Sequence, residues 1–223
     1  MIPRIIHQTA PSNPGTWPEA WWRCQETVLR NMSGYKYMMW TDEDLEGLIR
    51  ERYPWFLDTF LNYPSPIFRA DAARYFILYE HGGIYLDMDM EVLDDFYDQL
   101  PSNKPSVVES PFPANEKTQN SLMASPPRHP FWNDVMREMM AVAVYFQSNV
   151  LDATGPRMLD RVLADHDGMV HVLPMKQFNP PPLDTLYNTH QWKQFPYRLY
   201  TRHRCTGSWR TSEELQTQMH LIP

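Results

Sequence analysis

Hydrophobic positions along the chain follow two periods in turn, and the places where the period changes mark the elements. Ile2 to Thr9 reads as a short buried first strand, after which the prolines and Gly15 of PSNPGTWPEAWW forbid regular structure until about Ala20. Glu19 to Met32 fits a helix and YKYMMW a second strand. Thr41 is a helix N-cap before DEDLEGLIRER, whose acidic first turn suits the helix dipole. Ser65 and Pro66 offer an N-cap and a first-turn proline for a helix running through RADAARYFILYE, and Gly82 or Gly83 supplies a left-handed C-cap. GIYLDMDMEV then follows as one continuous strand. SVVES reads as a short strand, HPFWNDVMREMMAVAVYF as a long helix, TGPRMLDRVLADH as another with Pro156 near its start, and MVHVLP as a late strand. This alternation predicts an α/β sandwich. From Phe178 onward periodicity fades and turn formers accumulate. The expectation is therefore a single domain over residues 1–223, with 178–223 as loops covering a site.

The charged end of the strand at GIYLDMDMEV raises a chemical question. On one strand, Tyr85, Asp87, Asp89 and Glu91 share a face and Ile84, Leu86, Met88 and Met90 the other, so that one face is core and the other acidic. Alternate residues lie roughly 6.5 Å apart at Cα, close enough for two carboxylates to lean toward one cation, and hard oxygen ligands suit Mg²⁺ or Mn²⁺. In open α/β sheets, ligands sit beyond the carboxyl ends of strands, where this motif falls. An isolated D-x-D also recurs by chance as a solvated strand end.

Composition narrows the classes. The 223 residues carry a formal net charge of −7, which argues against a general nucleic-acid binder, since phosphate backbones are held by basic surfaces. Hydrophobic residues make up 43%, too apolar for a disordered chain. With only Cys24 and Cys205, neither a disulfide framework nor a CxxC zinc knuckle is available. MIPRIIHQTA already reads as a strand, and no run approaches the roughly 20 apolar residues of a membrane span. The expectation from these features is a soluble, cytoplasmic chain without a transmembrane segment.

The stretch RADAARYFILYEHGGIYLDMDMEV resembles the DXD core of glycosyltransferase family 32, which includes yeast α-mannosyltransferases and sphingolipid-glycosylating enzymes. In the same order, IPRIIHQT resembles the family's first strand, WTDEDLEGLI its second-strand exit, TGPRML a later helix start and HRCTGSW its C-terminal segment. The resemblance implies a GT-A type, Rossmann-like nucleotide-sugar-binding fold, α/β with a mixed sheet flanked by helices. It implies a GDP- or UDP-sugar donor, a glycan or glycolipid acceptor, Mn²⁺ or Mg²⁺ as cofactor, and transfer of a hexose with retention of anomeric configuration. The chain departs from the family where Ala10 follows Thr9 in place of an aromatic residue, with Trp17, Trp21 or Trp22 as substitutes against the nucleobase. A second expected departure is the absence of the N-terminal membrane anchor typical of Golgi members.

By the same resemblance, Asp89 ligates the metal, Asp87 contacts ribose or the metal through water, and both are the catalytic candidates. His203 completes the metal shell through a neutral imidazole. His7, Gln8, Thr9, Arg69, Asp71, Arg74, Gly82, Gly83, Tyr85, Ser208 and Trp209 are the candidate substrate-binding residues. Several have plain structural alternatives. Asp71 and Arg74 stand at i,i+3 and form an ordinary helix salt bridge, and the two glycines stop a helix.

Three other readings compete. A haloacid-dehalogenase-like Mg-dependent phosphatase also places D-x-D at a strand end, with the first aspartate as nucleophile, but wants Thr or Val where Glu91 stands; Asp94 and Asp95 come too soon for its later acidic pair. A glycosidase sets its two carboxylates across a sugar rather than side by side. A non-catalytic sugar- or metal-binding module would keep most of the same motifs.

Overall fold

In the computed structural model, the described residues are 1–181 and 197–206. Their centre is a six-stranded sheet in the order β2-β1-β3-β6-β5-β7, formed by β1 (Ile5–Thr9), β2 (Lys36–Trp40), β3 (Gly83–Leu86), β5 (Ser106–Glu109), β6 (Thr118–Ser125) and β7 (His171–Leu173). A separate ribbon pairs β4 (Met90–Val92) with β8 (Thr201–His203). Neighbouring strands run parallel at β2-β1, β1-β3 and β5-β7, whereas β6 runs antiparallel to both β3 and β5. The sheet is mixed, and helices cover both faces.

Each helix begins where the local chemistry supports it. α1 (Glu19–Asn31) starts behind Pro18, and α2 (Asp42–Arg52) opens with a full capping box in which the Thr41 hydroxyl and the Asp44 carboxylate reciprocate. The short α3 (Leu57–Leu61) leads into α4 (Pro66–His81), which has proline in its first turn. Later helices are α5 (Phe131–Val142), α6 (Val150–Ala153), α7 (Pro156–Ala164) and α8 (Met175–Phe178). One core gathers Phe56, Phe76, Tyr85, Trp132 and Met158 between the sheet and α2, α4, α5 and α7; the other gathers Ile6, Val28, Ile84, Leu86, Leu122 and Phe178 beneath α1 and α8. Because β3 is covered on both faces, all four of its residues are buried.

Four expectations change. GIYLDMDMEV is not one strand: β3 ends at Leu86, and the Met90 N–H closes a turn on the Asp87 carbonyl (3.0 Å) before β4 begins. Asp87 and Asp89 therefore sit in a turn rather than alternating along a ladder, and Tyr85 belongs to the core. Second, TQNSLMAS forms β6, a fully buried strand that hydrophobic patterning does not reveal. Third, α5 stops at Val142 rather than running to Phe146. Fourth, the tail from Phe178 contains β8, whose Thr201 to His203 pair with β4.

Gly82 and Gly83, expected also to let a sugar approach the backbone, are enclosed by protein. Gly82 has φ +62 and a Cβ there would stand 2.7 Å from the Pro127 backbone nitrogen; Gly83 has φ +94 and a Cβ there would stand 2.7 Å from the Ile5 carbonyl oxygen. Both lie at the start of β3, the end opposite to Asp87. The backbone conformation and the close neighbours are sufficient to require glycine at both positions.

Candidate metal and sugar-nucleotide site

The β3-β4 turn sits at the sheet edge where β1 and β3 end and β6 begins. The Asp87 N–H makes the last ladder bond, to the Ser121 carbonyl (2.8 Å), and the β4-β8 ribbon then brings His203 back against Asp89. His203 Nε2 lies 3.0 Å from Asp89 Oδ1, and one ligand atom each from Asp87, Asp89 and His203 falls within 4.8 Å of the others. Two carboxylates and an imidazole on that scale form a mixed oxygen and nitrogen set suited to Mn²⁺ or a related divalent ion. Asp89 is 8% exposed, but the Asp87 side chain is 25% exposed, which leaves the cluster open on the Asp87 side.

Of the HQT triplet at the end of β1, Gln8 and Thr9 reach toward this turn, whereas His7 holds the opposite end of β3. His7 donates from Nε2 to the Gly82 carbonyl (2.9 Å) and accepts the Trp40 indole N–H on Nδ1 (3.1 Å), so both ring nitrogens are engaged within the protein. Burial pushes its pKa down to about 4, against the Gly82 hydrogen bond. Gln8 donates to the Asp87 carbonyl (3.1 Å) and accepts from the Tyr37 hydroxyl, which in turn accepts from Gln25. The hydroxyl of Thr9 meets that of Tyr85 (2.9 Å), and the Tyr85 hydroxyl donates to Asp87 Oδ1 (3.0 Å). Of the three, Thr9 is linked to the Asp87 carboxylate, through Tyr85.

Arg74 stands at the centre of the second wall. Its guanidinium pairs with Asp71 and with Asp87 (3.2 Å), donates to the Asn120 carbonyl (2.8 Å), and lies over the Tyr85 ring at 4.7 Å. Burial opposes its charge, but Asp71 and Asp87 outweigh that penalty. Burial raises Asp71 to about 6 despite Arg74, with Asp87 adding to the rise; Asp87 is raised by burial and by Asp89, against Arg74. Two acidic groups and one arginine thus sit together beside the turn, Asp71 and Arg74 buried and Asp87 partly open. Asn120 also donates to the Tyr75 hydroxyl (3.1 Å), which donates to the Thr154 carbonyl (2.9 Å), tying this wall to the TGP stretch before α7.

At Asp89, burial favours the neutral acid, but His203 and the donors from Thr206 overcome it and hold the carboxyl below its ordinary range. Burial likewise opposes charge on His203, yet Cys205 and Asp89 raise its pKa well above 6.5. His203 Nε2 and Asp89 Oδ1 thus face each other at 3.0 Å, each favouring the charged form of the other.

The structure thus gathers Thr9, Asp71, Arg74, Tyr85, Asp87, Asp89 and His203, and sets Gln8 against the turn backbone and His7 at the opposite end of β3. Arg69 is half-buried with an unpartnered Nε, on the side of Asp42 rather than of the DXD turn. Ser208 and Trp209 lie outside the described residues. Sequence reasoning passed over Asn120 and Thr206. Asn120 lies in a polar stretch without periodicity, while Thr206 stands three residues after His203 within the quoted HRCTGSW. Trp17, Trp21 and Trp22 do cluster, with Trp17 and Trp22 rings 4.7 Å apart, and the Trp21 indole donates to Thr206 (3.3 Å). Among the described residues, no helix is long and apolar enough to cross a membrane.

Residues 18–107 match the family described as glycosyltransferase sugar-binding region containing DXD motif. Mannosyl phosphorylinositol ceramide synthase SUR1 of Saccharomyces cerevisiae is 39% identical over 162 residues, 71% of this chain and 41% of that protein. Inositol phosphoceramide mannosyltransferase 3 of Schizosaccharomyces pombe is 36% identical over 77% of this chain and 49% of its own length. The chain therefore spans less than half the length of these curated relatives. An uncharacterized glycosyltransferase of Acanthamoeba polyphaga mimivirus is 27% identical and covered to 84%. Among solved structures, galactosyltransferase LgtC with donor and acceptor sugar analogs aligns over 96% of this chain and 94% of its own, with a TM-score of 0.53 at 14% identity. The PaToxG glycosyltransferase gives 0.57 at 17% identity, over 74% of this chain and 70% of its own. These structures are GT-A glycosyltransferases, and the fold here is of that type.

Proposed function

We propose that this chain is one of the glycosyltransferases whose sugar-binding region contains the DXD motif, and that its site transfers a hexose from a GDP- or UDP-sugar to a glycan or glycolipid acceptor, dependent on Mn²⁺ or Mg²⁺ and with retention of anomeric configuration. The observation that supports this best is the convergence of Asp87, Asp89 and His203 beside the Arg74–Asp71 pair. The relatives' names favour a mannosyl donor and an inositol phosphoceramide-like acceptor.

Asp87, Asp89 and His203 would hold the cation, which when bound offsets the charge of the diphosphate and of the leaving group. The remaining work falls to the chain. Arg74 keeps Asp87 in place and anchors itself on the Asn120 carbonyl, so the carboxylate is oriented before a ligand arrives. Asp71, held by the same guanidinium, is an acceptor for donor-sugar hydroxyls. Tyr85 and Thr9 fix the other side of Asp87. Ser208 and Trp209, in the proposed site-covering segment 178–223, would donate to the departing diphosphate, and Arg69, which faces Asp42, would reach the donor only from outside the cluster.

The test is turnover of a panel of GDP- and UDP-sugars with Mn²⁺, with and without a glycolipid acceptor, followed by nucleotide release and by NMR of the product anomer. An α-linked product from an α-configured donor supports the proposal. Absence of transfer from every donor, or an inverted product, contradicts it.

A further inference from the structure

The two oxygens of Asp89 are held by different partners. Oδ2 accepts two hydrogen bonds from Thr206, from its backbone N–H and from its hydroxyl, each 2.9 Å, whereas Oδ1 faces His203. The Thr206 hydroxyl is itself the acceptor for the Trp21 indole N–H on α1 (3.3 Å). The approach is made by a tight turn: the Arg204 N–H donates to the Asp89 carbonyl (3.0 Å), and Cys205 adopts φ +48, a left-handed conformation that a cysteine enters only at a cost.

Adhesion of this segment does not require the Thr206 contacts. Strand pairing between β4 and β8 already holds it, as do the ion pairs from Arg202 (2.6 Å) and Arg204 (3.0 Å) to Glu91. The Thr206 bonds instead end on a carboxylate oxygen of the cluster. A carboxylate pinned through one oxygen cannot rotate freely, so its other oxygen keeps one direction, here toward Asp87 and His203.

We propose that Thr206 is a positioning residue for the cation site, with Trp21 as its support: the two fix Asp89 Oδ2 so that Oδ1 is presented to the ion. This rests on the metal-dependent reading above. In that arrangement the ion replaces the His203 contact on Oδ1 and leaves both Thr206 bonds intact.

The test measures free Mn²⁺ by electron paramagnetic resonance in titrations of the protein without donor. Wild type is compared with Thr206→Val, Thr206→Ser, Trp21→Phe and the Trp21→Phe/Thr206→Val double variant, alongside melting of each without metal. The expected result is about tenfold weaker Mn²⁺ binding in Thr206→Val, the size typical of losing a contact that orients a ligand. Thr206→Ser should restore near-normal affinity, Trp21→Phe should weaken it less, and the double variant should be no weaker than Thr206→Val alone, since both act through one hydroxyl. Unchanged affinity in Thr206→Val overturns the proposal, and so does a double variant whose losses add. Should Thr206→Val fail to fold, unchanged affinity in Trp21→Phe overturns it instead. A wild type that binds no Mn²⁺ fails at the metal-dependent reading itself, a different outcome from a wild type and variants that bind alike.

Discussion

Replacing Arg74 by methionine keeps much of the side-chain length while removing the guanidinium that stands between two acids. Arg74 is 3% exposed and Asp71 7%, so neither charge can be solvated in compensation, whereas Asp87, more open, regains some water. Breaking a buried ion pair by removing one partner costs about 3–5 kcal/mol, which for a chain of this size lowers Tm by about 10 °C. The loss should depend on pH with a definite sign. Asp71 already titrates near 6 in the folded protein, raised by burial, and losing Arg74 raises both Asp71 and Asp87 further. The folded state then binds more protons than the unfolded state above the ordinary carboxylate range, so stability falls as pH rises and the deficit is larger at about pH 8 than at about pH 5. Urea denaturation of the metal-free proteins at both pH values measures this, and Asp71→Asn in the Arg74→Met background should recover part of the loss. A cost below about 1 kcal/mol, or one equal at both pH values, would refute the view that Arg74 neutralises a buried acidic pair.

Three further outcomes follow from particular contacts. His7 is buried neutral with its pKa near 4, so only the unfolded state takes up this proton between about pH 6.5 and 4; stability should fall by about 3 kcal/mol as pH drops through that window, and a His7→Gln variant should show a flatter acid limb in denaturant titrations. Asp160 accepts from the Lys117 N–H (2.6 Å), the Thr118 N–H (3.1 Å) and the Thr118 hydroxyl (2.7 Å), so Asp160→Ala should cost about 2 kcal/mol without altering Mn²⁺ affinity, which calorimetry and metal titration check together. Gly83→Ala must place its Cβ against the Ile5 carbonyl at φ +94 and should lose about 2–3 kcal/mol by melting, while donor affinity of the folded fraction stays normal; lost affinity would return a sugar to that glycine.

Much of the first half of the chain was legible because its signals are local. The Thr41 capping box, the Ser65–Pro66 start of α4 and the glycines at its end each act within a few residues, and the expected boundaries match those observed. The Asp–Asp–His cluster was legible only through the resemblance, since no spacing rule links residue 89 to residue 203. What stayed hidden depends on tertiary contacts. β6 reads as polar, yet Thr118, Gln119 and Asn120 are buried because Asp160, Asn179 and Tyr75 arrive from three separate segments to meet their side chains. The break after Leu86 is equally non-local: alternation alone continues the strand to Val92, but the Gln8 amide on the Asp87 carbonyl and the pairing of β4 with β8 favour a turn. His7 and Gln8 were recognisable as a motif, while their places at opposite ends of β3 follow from the Gly82 and Asp87 carbonyls that they reach across the sheet.

Asp87, Asp89 and His203 are proposed to form a cation site through which a sugar nucleotide is held. Calorimetric titration of GDP- and UDP-sugars into wild type and Asp89→Asn, each with Mn²⁺ and with excess EDTA, tests it most directly. The substitution keeps the size of the side chain and removes the charge a hard cation needs. The account predicts binding of at least one donor by wild type with Mn²⁺, with little or none in EDTA or in a folded Asp89→Asn protein. Equal donor binding in EDTA, or by Asp89→Asn with Mn²⁺, would contradict it.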